Sequence, residues 1–231
     1  MVYMDAPNIF KIVTAIITII ISFIAGFIEL RLNRNNWLNR WFALFFLSAS
    51  FGFMSYTIYH FLIFPGYEQI VIAIMILAQI FFNFIPISLI MTIFVLEKSS
   101  KTAMSLKYLG SMVLLFILMS FGYFIWVPEL DLISYSEGSV NTFTEPALQV
   151  FVNLIRIALA TYVVYKYATI TRKTEGETKK RIQWFFIGVV IMILGLITNL
   201  VGGFYRFIEL EILALIMLSI GAMSVVKGFF M

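Results

Sequence analysis

Long apolar runs alternate with short clusters of charged and turn-forming residues along this chain. A bilayer's hydrocarbon core is crossed by about 20 apolar residues in helical form. Seven runs reach that length, at about 8–30, 41–64, 69–96, 108–127, 147–168, 182–205 and 208–226. The breaks between them differ in chemistry. Residues 31–40 form a basic, Asn-rich turn, Pro65-Gly66 is a strong turn signal, and 97–107 is a short charged turn. Residues 128–146, PELDLISYSEGSVNTFTEP, are acidic and predict a short hairpin or cap over the bundle. The most hydrophilic stretch, ITRKTEGETKKR, belongs in water, and only a very short turn separates the sixth and seventh runs. Pro86 lies inside the third run, where its missing N–H is expected to bend the helix. The pattern predicts an all-α fold, one integral membrane seven-helix bundle spanning residues 1–231.

Composition agrees with this reading. The chain is 62% hydrophobic and 12% charged, with a mean hydropathy of +1.00, which leaves too little polar surface to clothe a soluble globule. Cysteine is absent, so disulfides, thiolate metal sites and cysteine nucleophiles are excluded. No cleavable leader is expected, because Asp5 precedes the first run and no basic segment comes before it. Charge placement sets the orientation. With the N-terminus outside, the inner loops and span ends hold Arg31, Arg34, Arg40, Lys98, Lys101, Lys107, Lys166, Arg172, Lys173, Lys179, Lys180, Arg181 and Lys227, whereas only Lys11 and Arg206 fall outside. Lys/Arg excess marks cytoplasmic loops, so the chain is expected to be multi-pass in the cell membrane, N-terminus out and C-terminus in.

The fifth run carries Arg156 near its middle, and a guanidinium at that depth requires a partner or a wet cavity. Gln149, Asn153 and Arg156 stand at i, i+4 and i+7, continued by Ala160, so they share one inward face. Arg156 is expected about 13 Å below the outer end, reaching up into the outer half because helical side chains lean toward the N-terminus. Polar candidates at comparable depth are Gln79 and Asn83 on the third helix, Tyr56, Tyr59 and His60 on the second, Asn199 on the sixth and Glu211 on the seventh. Glu211 is the expected ion-pair partner, with Glu209 and Glu145 as alternatives. These groups either lock the helices together or line an outward-opening pocket, for which Arg156, Asn153, Gln149, Glu211, Asn199, Gln79, Asn83, Tyr56 and His60 are the candidate ligand-binding residues. Gly188, Gly195 and Gly202 recur every seven residues along the sixth helix, as expected where a neighbouring helix packs closely.

What is missing narrows the function. No phosphate-binding glycine loop, no zinc-protease histidine pair and no GxSxG nucleophile setting occurs. His60 is the only histidine. No enzymatic activity, metal or cofactor is therefore expected, and no nucleic-acid partner. The N-out seven-span order, Asn39-Arg40-Trp41-Phe42 leading into the second helix, Phe84-Ile85-Pro86 in the third and Arg181-Ile182-Gln183-Trp184 leading into the sixth resemble the seven-helix N-terminal sensor region of bacterial and archaeal histidine kinases. That resemblance implies a membrane sensor coupled to a cytoplasmic signalling partner. The sequence-based reading is thus a receptor-like protein that contacts membrane lipids and binds an amphiphilic or anionic small molecule between its outer half-helices. The alternatives are a small transporter or channel using the same polar residues, and a non-catalytic membrane scaffold.

Overall fold

The computed structural model describes residues 6–172, 174–205 and 207–230, Phe230 by its backbone. Asp5, Lys173 and Arg206, which bear on the expected leader and charge pattern, lie outside the described residues. Among the described residues seven helices are long and apolar enough to cross a membrane: α1 (Ala6–Leu32), α2 (Trp37–Phe61), α3 (Glu68–Lys98), α5 (Ser111–Ile125, extended by a π-helical turn over Leu106–Gly110), α7 (Pro146–Thr171), α8 (Gly176–Tyr205) and α9 (Ile208–Phe230). Two short helices complete the set, α4 (Ser100–Ala103) and α6 (Leu132–Ser136). The chain is therefore an all-α, multi-pass membrane protein by length and composition of its helices. One end of the bundle carries the segments 62–67 and 126–145 together with the α8–α9 turn, and is called here the loop end. The opposite end gathers most of the basic side chains, and is called the basic end.

Helix bounds depart from the hydropathy pattern where polar residues extend a helix into water. Asn36 caps α2, its Oδ1 accepting from the Leu38 N–H at 2.9 Å, so the turn between α1 and α2 shrinks to 33–36. α8 begins at Gly176, six residues before the apolar run. Glu177 sits in its first turn and Arg181 four residues later, a spacing that suits the helix dipole and an i,i+4 pair. The hydrophilic segment 170–181 consequently lies mostly within the ends of α7 and α8. α3 runs unbroken through Pro86.

The expected hairpin over 128–146 is present and built around a small helix. Strands Glu129–Leu130 and Thr142–Phe143 pair antiparallel. Between them Asp131 caps α6, accepting from the Ile133 and Ser134 N–H groups. The segment is pinned to the bundle by Tyr135, whose hydroxyl lies 2.6 Å from the Leu62 carbonyl and 2.8 Å from that of Phe64 at the frayed end of α2. The Leu62 carbonyl stands at the C-cap of α2, where the helix itself offers no donor. Tyr135→Phe is expected to lower stability by about 1 kcal/mol, measurable as a reduced melting temperature in detergent with helix content unchanged.

The core falls into stacked layers. Towards the basic end, Phe42, Phe45, Phe46, Ile93, Tyr167, Phe185 and Val225 interlock, with Phe42 edge-on to Phe185 and Phe229. Nearer the loop end, Phe53, Tyr56, Tyr59, Val71 and Met75 pack with Tyr135 and Val140 of the cap. A side cluster of Met119, Tyr123, Leu148 and Val152 seats α5 against α7. The remaining face of α5 is apolar and exposed, as a lipid-facing surface is.

Candidate polar cavity

α7 starts on Pro146, whose fixed φ suits a first helical position. Its stripe of Asn153, Arg156 and Ala160 is buried, while Phe151, Leu154, Tyr162 and Tyr165 face outward. The face predicted to look inward does so. Arg156 reaches sideways to α3: Nε donates to Asn83 Oδ1 at 3.0 Å, and Nη2 donates to the same oxygen at 2.6 Å, to Gln79 Oε1 at 2.9 Å and to the Gln79 carbonyl at 3.4 Å. The amides are themselves oriented by α5. Asn83 Nδ2 donates to Ser120 Oγ, and the Tyr123 hydroxyl donates to Gln79 Oε1 at 3.3 Å.

One expectation about Arg156 is corrected here: its partner is not Glu211, nor Glu209 or Glu145. The reason is packing order: α7 lies against α3, whereas α9 lies against α8 and α1. The hydrogen-bond acceptors of Arg156 among the described residues are neutral amides, and the neutral Tyr123 hydroxyl stands beside the guanidinium. The ion pairs among the described residues are Lys11–Glu211 and Lys166–Glu97, and Arg156 belongs to neither.

Glu211 has a partner the sequence reading missed. Lys11, fully buried on α1, places Nζ 2.7 Å from Glu211 Oε2 and 3.3 Å from Asn141 Oδ1 of the cap, while the Tyr56 hydroxyl donates to Glu211 Oε1 at 3.2 Å. The signal was in the chain. Asn8, Lys11, Ala15, Thr18, Ser22, Ala25 and Glu29 alternate at spacings of three and four, and all are buried, a heptad stripe of small and polar residues in an otherwise aliphatic run. That stripe carries polar contacts on toward the basic end. Thr18 shares a 2.5 Å hydrogen bond with Ser219, and Glu29 accepts from Asn39 at 3.1 Å near the basic end.

The cavity that these groups enclose has a volume of about 830 Å³. Of the nine candidate residues, Arg156, Asn153, Gln149, Glu211, Asn199, Gln79 and Tyr56 line it. Asn83 sits behind Arg156, fully buried, as the anchor of the guanidinium. His60 is elsewhere, its ring tilted against those of Tyr56 and Tyr59 with centroids 4.2 and 4.3 Å away and its Nδ1 on the Tyr56 carbonyl. It is a packed core imidazole, removed from the cavity wall.

The cavity changes character with depth. Its mouth opens among exposed Trp126, Val127, Glu129, Glu145, Phe204 and Phe207, with Asp131 and Thr142 beside them. The middle holds Arg156, Gln149, Asn153 and Asn199. Among the described residues those three amide side chains make no hydrogen bond to protein. The floor is formed by Phe45, Phe46, Leu89, Ala160, Val189 and Ala222, with Ser22, whose buried hydroxyl has no partner, on the α1 side. Beneath the floor lies the aromatic layer of Phe42, Tyr167 and Phe185. No trio of His, Cys, Asp or Glu side chains among the described residues comes together as a metal site requires. No protein-family model matches the chain, and no curated protein or solved structure matches it either.

Proposed function

We propose that this chain is a seven-helix membrane sensor that binds an amphiphilic or anionic ligand in the cavity and responds at its basic end. The observation that carries the reading is Arg156: a buried guanidinium with no carboxylate partner among the described residues, held by neutral amides beside the Tyr123 hydroxyl and facing a cavity where three further amides are unengaged. A charge in that setting keeps its full appetite for an anion, since a carboxylate matches the guanidinium fork and the surrounding N–H groups. A mouth that mixes apolar and polar side chains suits a molecule with both characters. The distribution of basic residues turns the mouth to the outside and the basic end to the cytoplasm. There, following the resemblance to histidine-kinase sensor regions, it would address a signalling partner.

The aromatic layer beneath the floor supports sensing over conduction, because a path for solutes has to stay polar or wet beyond mid-membrane. One observation favours the rival. The α1 stripe continues with Thr18, Ser22 and Glu29 toward the basic end, as a transport route would. Two measurements separate the readings. Extraction of the purified protein is expected to release a small amphiphile that is lost from Arg156→Met, with mass spectrometry as the readout. Solute flux into proteoliposomes that vanishes in the same variant would instead establish transport.

A further inference from the structure

The depth and charge of the cavity narrow the ligand class, an inference that rests on the binding role just proposed. Charge fixes the head group. Arg156 is the one cation lining the cavity among the described residues, while Glu129 and Glu145 line it nearer the mouth, as does Glu211, which Lys11 engages. One guanidinium below a cluster of carboxylates balances a single negative charge and disfavours two. The planar fork and the amides of Gln149, Asn153 and Asn199 then suit a carboxylate.

Depth fixes the tail. Above Arg156 the wall mixes apolar side chains with Asn141, Thr142 and Thr144 and opens outward, whereas below it the wall is apolar and closed, so an apolar body is buried most fully by pointing to the floor. Counting helix rise from the loop end, Phe46, Val189 and Ala222 lie roughly 21–24 Å down against about 15 Å for Arg156, leaving about 6–9 Å. At roughly 1.3 Å per bond of a zigzag chain, that accommodates about five to seven carbons beyond the carboxyl, or one ring on a short linker. Below that depth stand Phe42 and Phe185, packed edge to face. We infer that the cavity selects a medium-length organic monocarboxylate, bound with its carboxylate on Arg156 and its apolar end against Ala222, Val189 and Phe46, and that it excludes long acyl chains and dianions.

The test is a chain-length series of n-alkanoates, from acetate to dodecanoate, against the purified full chain in detergent. Thermal shift is the readout, and Arg156→Met measured in parallel subtracts partitioning into the micelle. The Arg156-dependent affinity is expected to peak at hexanoate to octanoate and to fall about tenfold by dodecanoate, as overpacking of a closed floor would cause. Ala222→Leu, or Ala160→Leu should the first fold poorly, is expected to move the peak toward shorter acids. Hexyl phosphate as the dianion is expected to bind more weakly than hexanoate. A peak that ignores both floor variants, a monotonic rise through dodecanoate, or tighter hexyl phosphate would overturn the inference while leaving an anion pocket in place. If neither acid series gives any Arg156-dependent shift, the binding role falls with it.

Discussion

Glu211→Leu is expected to destabilise the protein by about 3 kcal/mol, and adding Lys11→Met to the same chain is expected to recover most of that loss. The single change strips the carboxylate from a lysine that is 1% exposed in its side chain, and an uncompensated buried cation is far more costly than an absent ion pair. The carboxylate itself is about one-third exposed and meets cavity water, which places the figure at the low end for a broken buried pair. The double variant replaces both charges with apolar groups of similar size, which such sites commonly tolerate. Unfolding in detergent, arranged as a double-mutant cycle, gives the coupling directly. Additive losses would mean that Lys11 finds another acceptor when Glu211 is gone, with Asn141 Oδ1 the nearest at hand. The same pair fastens α1, α9 and the cap together, so the cycle also reports how firmly the cavity wall is closed at its mouth.

The contrast between Arg156 and Lys11 shows which part of this site is legible in sequence. Helical periodicity gave the inward face of α7 and the polar face of α3 correctly, because i, i+4, i+7 geometry is local and independent of neighbours. It could not name the partner. Depth along a helix is readable from rise per residue, but helices at equal depth are ranked by lateral packing order, and that order depends on contacts far apart in sequence. Glu211 was thus preferred on charge, although Asn83 is the one that lies on the helix beside α7. Lys11 was overlooked for another reason. Its stripe on α1 is diluted by mostly Ile and Phe at the intervening positions, so hydropathy averages erase it while a search at heptad spacing recovers it. The helix ends tell a related story. Apolar content marks where lipid stops and capping marks where the helix stops, and at α8 the two differ by six residues, from Gly176 to Ile182.

Gly188→Leu is expected to cost about 3 kcal/mol or more and to loosen the wall formed by α8 and α9. A Cβ at position 188 would lie 2.6 Å from the Gly221 carbonyl oxygen and 2.7 Å from the Val225 backbone nitrogen. Backbone atoms cannot rotate away as a side chain can, so the helices must part, and overpacking of this kind lies at the upper end of its usual range. Gly195→Ala is the control. Its Cβ would stand 3.2 Å from the Ala214 carbonyl and from the Leu218 and Met217 side chains, a fit that slight shifts relieve, and a cost below about 1 kcal/mol is expected. Unfolding of both variants beside wild type checks the contrast. The outcome bears on how a bound ligand would act. α9 packs on α8 far more extensively than α7 does, and the sixth-helix glycines are what permit that closeness, so they fasten the α8–α9 pair where a hinge would need them loose. On the proposed sensing role, a response carried from Arg156 to the basic end would run through α7 sliding against the α8–α9 pair, and Gly188→Leu is expected to degrade any ligand stabilisation without a change at the cavity's own polar residues.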